Sequence, residues 1–197
     1  MARTNRSEER RAELLPVVAS VFAELGYRRT TTAALADRCE VQETTLYRLW
    51  KSKKAMFIAS IEHVYDVSTA AWDSLLGARD DDLTPAERLL EYEATHHGEY
   101  GLYRIVFAGL SESDDDDVRS ALQRMYRRYR DFIVRRLAEH AEQRGVESGL
   151  PVESAAWGLI GIGMITSTGR ELGLLDDGDR SRLWSDVARL LVEGRPT

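Results

Sequence analysis

Residues 21–55 read VFAELGYRRTTTAALADRCEVQETTLYRLWKSKKA, and this stretch decides the fold. Gly26 follows an apolar helical pattern and is the residue type that most often ends a helix. Thr31 is a suitable N-cap for a short helix of about two turns. A tight turn follows, and a second short helix is predicted from about Gln42 to Leu49. Two short helices joined by a tight turn, after a longer helix, describe a helix-turn-helix.

The second short helix has the side chains that a DNA-reading helix needs. Such a helix lies in a major groove about 12 Å wide and presents polar side chains to the base edges. The inward face of the unit is supplied by apolar residues, namely Leu35, Ala36, Val41 and Leu46. The residues left to point outward are Gln42, Glu43, Thr44, Tyr47 and Arg48.

The charge distribution favours DNA binding by the N-terminal quarter only. The 197-residue chain has a formal net charge of −6, which taken whole argues against a nucleic-acid partner. Residues 1–55, however, have 11 Lys or Arg against 7 Asp or Glu, and the remainder has 16 against 26. Composition alone would equally fit a solvated basic tail, but the order of the helices favours a DNA-reading segment. The basic residues at its start are Arg3, Arg6, Arg10 and Arg11.

The rest of the chain also has helical patterns throughout. Ser52 is placed to begin a helix that continues to about Leu76. Thr84, followed by a proline, begins another helix, which either ends near Gly98 or continues beyond it. No segment alternates as a strand does, so we expect an all-α fold of about nine helices. Three more helices are predicted: one begins at Ser113 and ends at Gly145, the next extends over about 151–172, and the last over about 179–192.

Composition and spacing argue against several other classes of protein. One cysteine excludes an internal disulfide, and no apolar run has the pattern of a signal peptide or the roughly 18 residues of a membrane span. We therefore expect a cytoplasmic protein. His96 and His97 are adjacent and point about 100° apart on a helix, so they cannot share a metal. Glu93 and His97 have a suitable spacing, but no second pair accompanies them, so we expect no metal, no cofactor and no enzyme activity.

The segment 21–55 resembles the DNA-binding domain of the TetR family of bacterial transcriptional regulators. The residues that match the family pattern in order and spacing are Phe22, Ala23, Gly26, Tyr27, Thr30, Thr31, Ala36, Val41, Thr45, Leu46, Tyr47, Ser52 and Lys53. The resemblance implies an N-terminal three-helix domain with the helix-turn-helix, residues 1–52. It also implies a larger helical domain for ligand sensing and dimerisation, residues 53–197.

The resemblance also implies roles for individual residues on DNA. Contacts to phosphates set the register of a protein on the duplex, and contacts to base edges choose the sequence. The residues expected to hold phosphates are Thr31, Thr32, Thr45, Tyr47 and Lys53. Glu43 and Thr44 are expected to face base edges. On chemical grounds Gln42 can reach an adenine, and Arg48 is a further DNA-binding candidate on the outward face.

Several positions depart from the family pattern. Glu40 stands where the family usually has glycine, and a positive φ there would strain the backbone by about 1 kcal/mol or more. Glu43, Thr44, Leu49 and Lys51 also replace residue types that are common in the family. These departures leave open a helical small-molecule-binding protein with a weak or degenerate DNA reader. An all-helical enzyme that uses the region 92–96 is a further alternative.

Residues 154–171 are apolar or small on nearly all sides, so both faces of their helix require burial. The resemblance implies a homodimer through the last two helices, and a central core helix of a monomer is the alternative. It also implies a pocket for an unidentified small-molecule effector, lined by aromatic or polarisable side chains on inward faces. The candidates are Trp72, Tyr92, His96, Tyr103, Phe107, Met125, Tyr129, Phe132, Trp157 and Met164.

These inferences together predict a ligand-responsive transcriptional regulator. A repressor is the default expectation. It is expected to bind palindromic, double-stranded operator DNA as a homodimer, with recognition helices about 34–36 Å apart. Binding of the effector is expected to release the DNA. No membrane partner is expected.

Overall fold

The computed structural model describes residues 2–76, 82–99, 101–145 and 149–193, and this part of the chain contains helices and no strand. The all-α prediction is thereby confirmed, and the described residues form the nine helices that the sequence predicts. They are α1 (Ala2–Arg29), α2 (Thr32–Arg38), α3 (Glu43–Leu49), α4 (Lys53–Leu76), α5 (Pro85–His96), α6 (Tyr103–Ser111), α7 (Asp116–Arg144), α8 (Val152–Glu171) and α9 (Asp177–Glu193).

The chain packs as two compact units. The first contains Met1–Val67 and Tyr100–Met125, and the second contains Ser68–Glu99 and Tyr126–Thr197. Helices α4 and α7 each contribute residues to both units.

The core of the first unit is built around aromatic side chains of α1 and α4. The rings of Phe22 and Phe57 are both fully buried and meet edge to face, with centroids 5.0 Å apart. Tyr27 lies 4.8 Å from the Phe57 ring. Leu35 and Leu46, from the two short helices, are also completely buried, as their inward placement predicts. The helix-turn-helix is therefore anchored to α1 and α4 by side-chain burial.

Local sequence explains how α1 begins and ends. The helix begins at Ala2 and includes Pro16. Gly26 breaks it, with φ 71° and ψ 170°, and a last helical turn follows. Glycine adopts a positive φ without the steric cost that a side chain imposes, so this break is encoded by a single residue.

The caps of the short helices follow the sequence closely. Thr31 caps α2 by accepting a hydrogen bond from the backbone N–H of Ala34 at 3.1 Å, as predicted. Ser52 does the same for α4, accepting from Ala55 N at 3.0 Å. Glu40, in the turn between α2 and α3, has φ 53°. The strained backbone expected at this position is thus present.

Capping in the second unit centres on Thr84. Its hydroxyl accepts from the backbone of Glu87, whose side chain accepts from the backbone of Thr84, so a complete capping box begins α5. The buried imidazole of His140 lies 2.8 Å from the same hydroxyl. Helix α5 ends at His96 and does not continue past Gly98.

Helix α7 begins at Asp116, three residues after the predicted start at Ser113. Asp115 caps it, because its carboxylate accepts from the backbone N–H groups of Asp117 and Val118. A carboxylate two residues before the first free N–H groups reaches them directly and also favours the positive end of the helix.

The core of the second unit lies where α8 and α9 pack on each other and on α5. Ala156, Leu159 and Ile162 of α8 meet Trp184 and Ala188 of α9 in this core. The small side chains allow close packing of these two helices, since Gly158 lies directly against a leucine of α9. This interface leaves a different face of α8 uncovered.

Candidate functional site

The outward face of α3 is built as the sequence predicts. Its inward side chains, Leu46 and Leu49, are buried, and the tyrosine on the opposite side, Tyr47, is 47% exposed. Gln42 begins the helix without using its side chain as a cap, so its amide group is available for other partners. The remaining exposed residues of this face are Glu43, Thr44 and Arg48.

The threonines predicted to bind phosphate lie beside this face. Thr31 is exposed, and because its oxygen only accepts in the cap of α2, its hydroxyl proton remains available to a phosphate. The hydroxyl groups of Tyr47 and Thr32 are 3.4 Å apart, so α2 and α3 present them together. Thr45 is half-buried. The structure thus brings the hydroxyls of Tyr47 and Thr32 together, and the contact of all four side chains with DNA stays a prediction.

Lys53, predicted to hold a phosphate, is held by contacts within the protein. Its ammonium group donates to the backbone carbonyls of Tyr27 and Thr30, both at 3.0 Å, and lies 4.4 Å from the centre of the Tyr27 ring. An ammonium group has three N–H donors. Lys53 therefore fixes the corner between α1 and α2 with two of them, and one remains for a phosphate.

The structure adds Arg11 to the residues that shape this surface. Its guanidinium donates to the carbonyl of Leu49 at the end of α3 and lies 6.0 Å from the centre of the Trp50 ring. The sequence shows Arg11 only as one of several N-terminal arginines, with no signal for this contact. The N-terminal part of α1 thus supports the end of the recognition helix.

Ion pairs use up much of the positive charge of the N-terminal quarter. Lys54 binds Asp115 at 3.0 Å and Asp117 at 2.7 Å, and Arg28 binds Glu112 at 2.7 Å. The hydrogen bond from Lys54 is the main reason that the pKa of Asp115 lies below its usual value. Burial, and then the charges of Asp115 and Glu112, raises the pKa of Tyr27.

Other pairs join Arg10 to Glu13 and Arg38 to Glu24. Among the described side chains of residues 6–55, the exposed cations that form no ion pair are Arg6, Arg11, Arg29, Arg48 and Lys51. Two of them, Arg48 and Lys51, lie at and just after the recognition helix, where a DNA backbone would need positive charge.

Three of the residues predicted to bind a ligand form an aromatic cluster in the second unit. Trp72 stacks on Phe132 at 4.9 Å and meets Tyr129 edge to face at 5.7 Å. The hydroxyl of Tyr129 lies 2.8 Å from that of Ser68. Their polar atoms are satisfied within the protein, so in this conformation the cluster is packed core.

The other candidates lie in several places. Tyr92 stacks on His96 at 4.4 Å, and Tyr126 donates to the sulfur of Met164. Tyr103 and Phe107 of α6, which meet edge to face, belong to the first unit, as does the buried Met125. The expectation that all ten candidates face inward is wrong for two of them. His96 is exposed at the end of α5, and Trp157 is 45% exposed on the uncovered face of α8.

A polar network in the second unit was missed at the level of sequence. Glu93 accepts from Trp72 Nε1 at 2.6 Å and pairs with His97 Nδ1 at 2.6 Å. His97 Nε2 lies 2.8 Å from the carbonyl of Gly163 and 3.2 Å from the Ser167 hydroxyl. Because a carbonyl only accepts, that nitrogen carries a proton. The Glu93 and His97 spacing was visible in the sequence, but what it builds is a link from α5 to α8.

The described ranges contain neither a metal-binding cluster nor a membrane-spanning helix. No three His, Cys, Asp or Glu side chains among them come together in a way that could hold a metal ion. None of the helices within those ranges is both long enough and apolar enough to span a bilayer.

Comparison with known proteins agrees with this architecture. Residues 15–60 match the family model for bacterial regulatory proteins of the tetR family. An uncharacterized HTH-type transcriptional regulator of Mycobacterium tuberculosis is 26% identical over 151 residues, which cover 77% of this chain and 72% of that protein. The nucleoid occlusion factor SlmA of Photobacterium profundum is 27% identical over 153 residues, which cover 77% of each chain.

A solved structure shows the same fold over nearly the whole length. The transcriptional regulator FadR of Bacillus subtilis, crystallised with stearoyl-CoA, superposes with a TM-score of 0.71 at 19% identity. The alignment covers 94% of this chain and 99% of that one. The matched N-terminal segment contains the whole helix-turn-helix with its exposed recognition face, and residues 15–60 therefore form a DNA-binding domain of the kind found in bacterial regulatory proteins of the tetR family.

Proposed function

We propose that this regulator is a ligand-responsive repressor that binds a palindromic operator as a homodimer and is released by a small-molecule effector. The observation that carries the proposal is the pairing of two exposed surfaces. One is the polar face of α3, and the other is an apolar stripe on α8 and α9. The first surface fits DNA, and the second fits another copy of the chain.

The apolar stripe consists of Trp157, Gly161, Ile165, Leu172 and Leu190. Its four large side chains are between 45% and 66% exposed. Trp157, Gly161 and Ile165 of α8 are spaced about one helical turn apart, so they lie on one face of that helix. Exposed apolar patches of this kind on a soluble protein usually mark an interaction site. A second copy of the same stripe would cover it in a closed, two-fold symmetric dimer.

Such a dimer has two recognition helices that are related by the two-fold axis. A palindromic operator with half-sites about 34–36 Å apart would match this symmetry. An effector that prefers a different arrangement of the protomers would then weaken DNA binding. The weakening can be no larger than the difference in the effector's affinity for the two arrangements. The complex of FadR with stearoyl-CoA supports a sensing role for the helical body.

The DNA-binding part is tested with duplexes taken from the region flanking the gene. We expect specific binding that weakens steeply with salt, because the protein displaces counterions from the phosphates. Arg48→Gln, on the exposed face of α3, is expected to lower affinity about tenfold or more. Arg189→Gln, an exposed arginine of α9, is the matched control and should leave affinity unchanged. Absence of binding at low salt would instead support the helical small-molecule-binding alternative.

The dimer is tested by sedimentation of a Gly161→Leu variant. A Cβ atom at Gly161 would meet nothing within 4 Å in the protomer, so a larger side chain there fits without disturbing the fold. We expect a larger monomer fraction than for the unmodified protein. Ser120→Leu, at an exposed position of α7, provides the control. An unchanged dimer in the Gly161 variant would place the interface elsewhere.

A further inference from the structure

A cavity opens between α5, α8 and α9, and one of its lining residues, Glu93, accepts a hydrogen bond from Trp72 of the aromatic cluster. Its volume is about 480 Å³, within the range of small-molecule sites. Side chains from all three helices line it, among them Glu93, His97, Thr166, Arg170 and Trp184. Of the ten side chains that the sequence suggested for a ligand pocket, only His96 contributes to this lining.

Arg170 is the lining residue whose charge is not neutralised. It is half-buried, and one of its N–H groups donates to the carbonyl of Gly98 at 2.7 Å. No carboxylate among the described residues forms an ion pair with it. A guanidinium has five donors in a planar fork that suits a carboxylate. Arg170 therefore keeps donors that can bind an anion from the cavity.

The other charges of the lining limit how much negative charge a ligand can bring. Glu93 is already paired with His97, and Arg180 is paired with Asp177. Glu99 adds an exposed carboxylate at the rim. A group with two negative charges would meet three carboxylates with only one free cation to offset them. A single carboxylate on an uncharged body fits this balance.

We infer that the cavity is the effector site, and that it takes a small organic monocarboxylate whose carboxylate binds Arg170 and whose body lies against Trp184. The inference rests on the effector step of the proposed function and names the ligand class for it. The indole of Trp184 stacks on the His97 ring at 5.1 Å, so the cavity has a flat wall for an apolar body.

The site is placed to affect the dimer through α8. Thr166 and Arg170 of α8 line the cavity, whereas the α8 residues of the apolar stripe are exposed on another side of the helix. Gly163 lies one turn before Thr166. His97 contacts the Gly163 backbone so closely that a Cβ there would lie 2.9 Å from the ring. A ligand that moves His97 would therefore move a helix that also carries the proposed dimer face.

The experiment uses the full-length protein labelled with 5-fluorotryptophan and observed by fluorine NMR. The four tryptophans, Trp50, Trp72, Trp157 and Trp184, are assigned by single Trp→Phe variants. The probes are benzoate and hexanoate, each compared with its neutral amide. We expect the carboxylates to shift the Trp184 signal in a saturable way. The concentration needed for half of the shift should be about tenfold or more lower for the carboxylates than for the amides, because the carboxylate forms a charge-assisted hydrogen bond with the arginine.

Arg170→Gln is expected to abolish the preference for carboxylates, and Arg170→Lys is expected to keep most of it. Arg189→Gln, outside the cavity, should behave as the unmodified protein. An unchanged Trp50 signal shows that each variant is folded. Equal binding of acids and amides, unaltered binding by Arg170→Gln, a shift confined to Trp72, or no shift at millimolar probe would each overturn the inference. DNA takes no part in this experiment, so a failure of operator binding would not be confused with a failure of this site.

Discussion

Replacement of Glu40 by glycine is expected to stabilise the protein. Glu40 lies between α2 and α3 with φ 53°, in the left-handed region where a side chain is costly. The turn is a Schellman motif, since Glu40 N donates to the carbonyl of Asp37 and Val41 N to that of Ala36. The position that Glu40 occupies in this motif is usually glycine. The conformation is therefore imposed by the turn and not by the residue.

The magnitude follows from two opposing effects. A side chain in the left-handed region costs about 1–2 kcal/mol, and glycine removes that cost. Glycine also has more conformational freedom in the unfolded chain, which costs about 0.5–1 kcal/mol on folding. A net gain of about 0.5–1 kcal/mol remains, equivalent to a rise in Tm of about 1–4 °C for a protein of this size.

Thermal unfolding at one fixed protein concentration measures the effect for Glu40→Gly and for Glu40→Ala. Alanine removes the charge of Glu40 but keeps a Cβ atom, so the backbone strain persists. The Tm of the Glu40→Ala variant should therefore change little. A rise of equal size in both variants would mean that charge, and not backbone strain, is the source. A lower Tm for Glu40→Gly would refute the strain argument altogether.

Three further predictions concern the second unit. Thr84→Ala removes the cap of α5 and should lower the free energy of unfolding by about 1–2 kcal/mol in urea denaturation, whereas a neutral result would contradict the capping role. Burial would raise the pKa of Glu87, but hydrogen bonds from its arginine partner and from the cap outweigh it and hold the pKa at about 2. Its stabilisation should therefore be complete above pH 4.5 and be lost as the pH falls through about 2, and Glu87→Gln should show a smaller loss of Tm across that window. Gly163→Ala should destabilise the protein by about 1–3 kcal/mol because the new methyl group meets the His97 ring, whereas Gly161→Ala, which meets nothing within 4 Å, should not.

Local sequence signals predicted the DNA-reading part well. The break at Gly26, the caps at Thr31 and Ser52, and the strained φ of Glu40 each depend on one residue and its near neighbours. Their physical cause acts over three or four residues, so it can be read without knowing the fold. The buried Leu35 and Leu46 follow from helical spacing in the same way.

The helical body was harder to predict residue by residue. Aromatic side chains on helices were expected to line a pocket, but Trp72, Tyr129 and Phe132 pack on one another. Trp157 lies on the uncovered face of α8, and His96 is exposed at the end of α5, where it lines a different cavity. Periodicity shows which residues share a face of a helix, but it does not show which neighbouring helix covers that face.

The sequence by itself determined the class of fold, the position of the helix-turn-helix and the identity of its exposed face, because caps, turns and helical spacing are local. Only the tertiary structure decided which charges remain free and where a ligand can enter. Lys53, Lys54 and Arg28 are engaged by partners 23 to 84 residues away in the chain, and Arg170 faces a cavity formed by three helices. Such pairings depend on how helices pack, and packing is a property of distances in space and not of spacing along the chain.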